Sequence, residues 1–274
     1  MENILDKFSL KGKTVLVTGG AGLLGKQFAL SLAQAGAKVM VADFAYDLAK
    51  DYSDSLNKQG LQTEALAVDI TDSLSVKEIV EFTLKRFGRL DALVNSAAMD
   101  PKFDPAHQGQ QSANAFETYP LSAWQDAIDV NLTGLFLACQ AAVIPMLEQG
   151  SGVIVNICST YGLVGPDQRI YERDDGPQQF KPVYYSVTKA GILGMTRYLA
   201  TYYAGKNIRV NALTPGGVYN GHDETFMKAY SARTVLGRMA ALDEMSGAML
   251  FLVSDASSYM TGSNLVVDGG WTAW

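Results

Sequence analysis

Thr14-Val15-Leu16-Val17-Thr18-Gly19-Gly20-Ala21-Gly22-Leu23-Leu24-Gly25 reads as one unit. The first five residues form a short, apolar, β-branched run, the pattern of a buried strand. A glycine turn follows. From position 26 to 35 the apolar residues Phe28, Ala29, Leu32 and Ala33 recur at helical spacing, and Gly36 stops the run. Strand, glycine turn and helix in that order is the context a dinucleotide fingerprint requires. The glycines let the backbone turn tightly and approach a pyrophosphate, and the helix N-terminus offers it free N–H groups and partial positive charge. Gly19, Gly22, Leu23, Leu24 and Gly25 are therefore candidate cofactor-binding residues.

Working outward, the next strand covers 38–42 and ends at Asp43, 18 residues past Gly25 (43 − 25). An acid there is placed to bond a ribose 2′-hydroxyl. Its charge would repel a 2′-phosphate, which favours NAD over NADP. The alternative is an Asp that caps the following helix. Further strands are expected at 63–68, 90–94, 153–157, 208–213 and 265–267. Helices are expected at 46–59, 74–87, about 122–147, about 183–204 and 242–252. This alternation predicts an α/β fold: a single Rossmann-type domain over 1–274, with a doubly wound, seven-stranded parallel sheet and helices on both faces. Ligands of such sheets bind at the carboxyl ends of the strands. Gly19, Asp43, Asp69, Asn95, Ser159 and Pro215 all fall there.

Tyr185 and Lys189 are four residues apart, which puts them on one face of a helix. Ser159 lies 26 positions upstream (185 − 159), just after a strand. A free phenol is a poor base at neutral pH, and a neighbouring ammonium favours its ionised form. A nearby serine hydroxyl can hold a substrate oxygen in line. Together the three make a proton-transfer device for interconverting an alcohol and a ketone.

Composition bounds the function. The chain has 274 residues, 48% hydrophobic and 18% charged, with net charge −6. That length fits one large α/β domain. No Lys/Arg run offers a stripe for phosphate backbones, so no nucleic-acid partner is expected. The two cysteines, Cys139 and Cys158, sit in apolar surroundings and read as buried thiols of a reducing compartment. His107 and His222 lie apart in polar stretches, so no metal is expected. Positions 1–10 carry acids and no long apolar core, unlike a secretion signal. No uninterrupted apolar run approaches the roughly 18 residues of a membrane span. A cytoplasmic enzyme without a membrane partner is the expectation.

These motifs, from Thr14 to Gly270, resemble those of the short-chain dehydrogenase/reductase superfamily. The stretch 18–25 resembles its glycine motif. Asp69-Ile70 resembles the pair beside the adenine, and Asn95-Ser96-Ala97-Ala98 the motif after the fourth strand. Asn131 matches the asparagine that holds a proton-relay water. Ser159, Tyr185 and Lys189 match the catalytic set. Pro215-Gly216-Gly217-Val218 resembles the turn beside the nicotinamide, and Val267-Asp268-Gly269-Gly270 the closing strand. The resemblance implies catalysis by Asn131, Ser159, Tyr185 and Lys189. It implies cofactor contacts from Asp69, Ile70, Asn95, Ala97, Tyr185, Lys189, Pro215, Gly216 and Val218. It also implies a homodimer or homotetramer.

There are departures. Tyr184 precedes Tyr185, but only Tyr185 has a lysine four residues on. The spacing Gly19-x-x-Gly22-x-x-Gly25 is that of the nucleotide-sugar-modifying branch, whereas the shorter branch would place glycine at position 23. Two stretches, near 99–120 and 163–182, exceed the usual core. The second carries Arg169, Glu172, Arg173, Asp174, Asp175 and Lys181 with Tyr171 and Phe180. It reads either as a solvated flap or oligomer contact, or as a lid over a small polar substrate. The glycine turn, the insertion with Gly165-Pro166-Asp167 and the run 198–203 resemble flagellin modification protein A-type oxidoreductases of bacterial sugar pathways. The expected activity is NAD(H)-dependent interconversion of a secondary alcohol and a ketone on a sugar-derived substrate. The alternatives are a 3-oxoacyl thioester reductase, a general polyol dehydrogenase, an epimerase or dehydratase, and a non-catalytic nucleotide-sensing module.

Overall fold

The computed structural model describes residues 3–100, 114–172 and 178–274. Seven parallel strands form one sheet in the order β3-β2-β1-β4-β5-β6-β7. They are β1 (Thr14–Thr18), β2 (Lys38–Asp43), β3 (Gln62–Ala67), β4 (Ala92–Asn95), β5 (Gly152–Ile157), β6 (Ile208–Pro215) and β7 (Asn264–Val267). The order reverses between β1 and β4, and the crevice at such a switch point is where α/β sheets take ligands.

Side-chain alternation along the strands builds two cores. Leu16, Met40, Leu93, Ile154 and Val210 enter one layer; Val15, Val17, Val39, Val94 and Val155 enter the other. The first layer is closed by α3 (Ser73–Phe87), α5 (Leu135–Gln149) and α6 (Val183–Tyr202). The second is closed by α1 (Leu23–Gln34), α2 (Tyr46–Asn57) and α8 (Ser246–Val253). The central strands are apolar on both faces because both faces are covered.

Most element ends lie within a few residues of the sequence reading, and the helices show the differences that bear on the site. Helix α1 begins at Leu23, three residues before position 26, because Gly22 serves as its N-cap. The expected helix at 122–147 spans Leu121 to Gln149, as α4 (Leu121–Ile128) and α5 joined by a π-helical turn, Asp129–Gly134. Such turns interrupt the i→i−4 ladder and recur at functional sites. By length and composition this run could cross a membrane, yet half of its most apolar window is buried inside the fold, as in a core helix. Helix α7 (Glu224–Ser231) has no counterpart in the sequence reading. Asp223 caps it through the Phe226 N–H, and Phe226 and Tyr230 are its buried residues. The insertions near 99–120 and 163–182 fall partly outside the described residues, and His107, Arg173, Asp174 and Asp175 lie wholly there.

Candidate active site

The glycine turn is held by backbone packing. Gly19 has φ +64°, and a Cβ there would lie 2.6 Å from the Ala97 Cα. A Cβ on Gly25 would lie 2.0 Å from the Gly19 carbonyl oxygen. A side chain at Gly19 would drive the turn into the segment after the fourth strand, and one at Gly25 would drive the helix into the turn. Leu23, Leu24 and Gly25 open α1, and the first N–H groups of a helix have no intrahelical acceptor. Asp43 does local work with both oxygens: Oδ2 accepts the Ala21 N–H at 2.9 Å and Oδ1 the Ala45 N–H at 3.0 Å. It therefore braces the glycine turn and the entry to α2 together, and a carboxylate keeps further lone pairs for a ribose hydroxyl.

Asp69 accepts the Thr71 N–H at 2.9 Å and its hydroxyl at 2.6 Å. These bonds hold its carboxyl below the usual range. Ile70 packs so closely on Gly134 that a Cβ there would meet its Cδ1 at 2.7 Å. Asn95 is buried, and its Nδ2 donates to Asn156 Oδ1 at 2.9 Å and to Cys139 Sγ at 3.2 Å. Its Oδ1 has no hydrogen-bond partner among the described residues. Pro215 ends β6, the Gly216 N–H bonds the Val267 carbonyl at 2.8 Å, and Val218 bridges to Ala240. A Gly216 Cβ would meet the Asp268 Cα at 2.7 Å. Bare backbone at three glycines, open helix N–H groups and a carboxylate 18 residues on fit a dinucleotide.

The Ser159 hydroxyl lies close enough to the Tyr185 phenol to favour its ionised form. Burial, then the charge of Asp100, pushes the Tyr185 phenol well above its ordinary pKa, while Ser159 works the other way. The Lys189 Nζ lies 5.7 Å from the Tyr185 ring centroid and donates to the Ile157 carbonyl at 2.9 Å. Burial lowers its pKa. The sequence reading gives Lys189 the task of depressing Tyr185; in the protein as folded, desolvation dominates. Asn131 sits in the π turn, 2% exposed. Its Oδ1 accepts the Met99 N–H at 2.7 Å, and its Nδ2 donates to the Met99 carbonyl and to Thr188 Oγ1, each at 3.2 Å. The asparagine thus ties the start of one insertion to the helix that carries Tyr185.

Four features escaped the sequence reading. The Tyr161 ring meets those of Tyr185 and Trp271 edge-on, each with centroids 6.3 Å apart. Trp271 stacks on Tyr230 at 4.3 Å. Asp167 takes Arg169 at 2.8 Å and pairs with Arg233 beyond α7. The Lys181 Nζ lies 4.0 Å from the Tyr185 ring centroid and 2.5 Å from Asp100 Oδ1. The insertion's charges were visible in sequence; their meeting with α7 and the C-terminus was not. A cavity of about 310 Å³ lies instead at the amino ends of the strands, lined by Lys13, Asp91 and Arg209 among others. Asp91 is bound there by Arg89 and the Thr14 N–H, and Arg209 by main-chain carbonyls, so their polar groups are engaged. The chemistry, not the cavity size, places the site at the carboxyl ends. Among the described residues, no group of three or more His, Cys, Asp or Glu is placed to hold a metal.

A family model described as enoyl-(acyl carrier protein) reductase matches residues 20–272. A 3-oxoacyl-(acyl-carrier-protein) reductase FabG of Thermotoga maritima is 35% identical over 269 residues, covering 95% of this chain and 98% of the relative. A D-threitol dehydrogenase of Mycolicibacterium smegmatis is 34% identical, covering 97% of this chain and 95% of the relative. The crystal structure of a gluconate 5-dehydrogenase from Burkholderia cenocepacia with NADP and tartrate superposes with a TM-score of 0.86 at 27% identity, covering 99% of this chain and all of that one.

Proposed function

This chain belongs to the short-chain dehydrogenase/reductase superfamily, and we propose that it interconverts a secondary alcohol and a ketone on a polyhydroxylated, sugar-derived substrate with NAD(H). The observation that carries the reading is the Tyr185 phenol set beside Ser159 and Lys189, next to a glycine turn whose bare backbone fits a dinucleotide. Bound nicotinamide supplies the hydride chemistry. Ser159 holds the substrate oxygen, and the Tyr185 phenol gives that oxygen its proton in reduction or takes it in oxidation. Lys189, fixed on the Ile157 carbonyl, holds the ribose end and adds positive charge near the phenol. Asn131 fixes the Met99 backbone and Thr188, and a water on it would pass protons onward. Leu23, Leu24 and Gly25 receive the pyrophosphate; Asp69, Ile70, Asn95, Ala97, Pro215, Gly216 and Val218 line the rest.

The Asp43 charge at the end of β2 supports NAD, although two solved relatives carry NADP. A polyol substrate is supported by the threitol and gluconate enzymes among the relatives, by the charged pair over Tyr185 and by the resemblance to flagellin modification protein A-type enzymes. The family model and the 3-oxoacyl relative favour a second reading, reduction of an acyl thioester. Nicotinamide absorbance, followed with alditols, ketoses, sugar acids and 3-oxoacyl thioesters and with each dinucleotide, decides between them. NADH formed only with polyols supports the first reading; NADPH consumed only with thioesters replaces it.

We further propose a cytoplasmic homodimer or homotetramer. The support is the exposed apolar run along the long helices, at Phe136, Ile144, Val187, Tyr198 and Tyr202, and the two free buried thiols. A monomeric mass by light scattering would overturn the assembly.

A further inference from the structure

We infer that Lys181 is the anion-reading residue of the substrate site, and that the substrate carries a carboxylate or phosphate within a carbon or two of the reacting carbon. The inference rests on the polyol reading and narrows its substrate class. The chain places a lysine four residues before Tyr185 and another four after it: Lys181-x-x-x-Tyr185-x-x-x-Lys189. The two are not equivalent. Lys189 comes off the helix and turns to the β5 carbonyl of Ile157. Lys181 precedes the helix, because Pro182 is the N-cap of α6. Its approach to the ring is therefore set by the insertion.

That placement is rigid. The Lys181 N–H donates to Gln168 Oε1 at 2.8 Å, and Gln168 Nε2 donates back to the Lys181 carbonyl at 3.1 Å. The side chain is only 9% exposed, and its Nζ sits 4.0 Å over the Tyr185 ring centroid. Burying an ammonium costs free energy unless an anion accompanies it, and the field at a helix N-terminus disfavours a cation there. Asp100 provides an anion, but from a side chain 56% exposed at the mouth of the site.

A substrate oxygen that meets the Tyr185 hydroxyl has its neighbouring substituents against this ammonium. A carboxylate or phosphate there takes the place of Asp100 on Lys181. Asp100 then swings to water, where its exposed side chain already reaches. Two loops at the carboxyl end of the sheet thus meet in the pair. A purely structural pair would tie the loops together equally well with either kind of substrate.

The experiment titrates malonate and, separately, inorganic phosphate into the enzyme–dinucleotide complex by calorimetry, using wild type, Lys181→Met, Lys181→Arg and Asp100→Asn. The expected result is binding of at least one anion, weakened about 10- to 100-fold in Lys181→Met, kept in Lys181→Arg and tightened in Asp100→Asn. Malonate alone assigns a carboxylate substrate, and phosphate alone a phosphorylated one. No binding of either by wild type, or equal binding by Lys181→Met, overturns the inference. In parallel, the ratio of kcat/KM for aldonates or sugar phosphates to that for neutral alditols should fall in Lys181→Met by the same factor, through KM. Absence of turnover on every polyol would sink the polyol reading alone, since the binding arm needs no turnover.

Discussion

The two ends of this site are built from different material. The nucleotide end is made of backbone: Gly19, Gly25 and Gly216 stand where a Cβ would strike a neighbouring main chain within 2.0–2.7 Å. The substrate end is made of side chains from segments far apart in sequence. Lys181 meets Asp100 across 81 residues, and Asp167 meets Arg233 across 66. The contrast teaches where variation is tolerated. A backbone cradle admits almost no substitution and keeps one ligand, whereas a side-chain wall can be rewritten residue by residue and so decides the substrate.

The sharpest way to test this division is Tyr185→Phe. Turnover should fall about 10³-fold, while dinucleotide affinity, read by calorimetry, should barely change. Parallel loss of both would mean the ends are not separable. Next in size is Gly25→Ala, which should do the reverse. The added methyl forces the Gly19 carbonyl aside at a cost of about 1–3 kcal/mol, lowering both the melting temperature and the dinucleotide affinity. Undiminished affinity would show that the cradle yields.

Asp43→Asn should raise the NADP-to-NAD ratio of kcat/KM, by up to about tenfold if one charge-assisted bond is at stake. An unchanged ratio would leave Asp43 as a brace for Ala21 and Ala45 only. On the substrate side, Asp167→Asn should cost about 1–2 kcal/mol in a denaturant melt, since it weakens charge-assisted bonds to Arg169 and Arg233. The Arg169 bonds hold the Asp167 carboxyl at about 2 in the folded protein. The unfolded value is near 3.9. The contribution is therefore fully present above the unfolded value and lost as pH falls through about 2. A wild-type-minus-mutant stability difference that stays flat across that window would remove Asp167 from the account.

The smallest signal is spectroscopic. Burial holds Tyr185 above its ordinary pKa, so the ultraviolet difference between wild type and Tyr185→Phe should show no phenolate below about pH 10 in the free enzyme. Adding oxidised dinucleotide, whose nicotinamide is cationic, should move the ionisation down. A phenolate already present at neutral pH in the free enzyme would restore Lys189 as the dominant influence.

Much of this was legible in sequence, for a reason that particular residues show. Val15, Leu16 and Val17 alternate between two cores, and the pattern repeats in β2, β4 and β5, so local periodicity implied a sheet covered on both faces. The glycine turn and the Tyr185–Lys189 spacing are local too. Helix α7 was missed because its two buried aromatics, Phe226 and Tyr230, are too few to set a period, although Asp223 ahead of them was a capping signal. The π turn at Asn131 was missed because it alters hydrogen-bond register without breaking the apolar run.

The sequence by itself determined the parallel sheet, the position of the glycine turn and the pairing of a phenol with a lysine, because each depends on residues within a few positions of one another. Only the tertiary structure decided the balance of forces on Tyr185. Burial outweighs the neighbouring ammonium, and desolvation is a property of everything packed around a group. The tertiary structure also decided which insertion charges reach the site. Lys181 and Arg169 look alike in the chain, yet one lies buried over the tyrosine and the other stands exposed beside Asp167. That difference comes from Gln168, Pro182 and the fold they lock, and no spacing in the sequence encodes it.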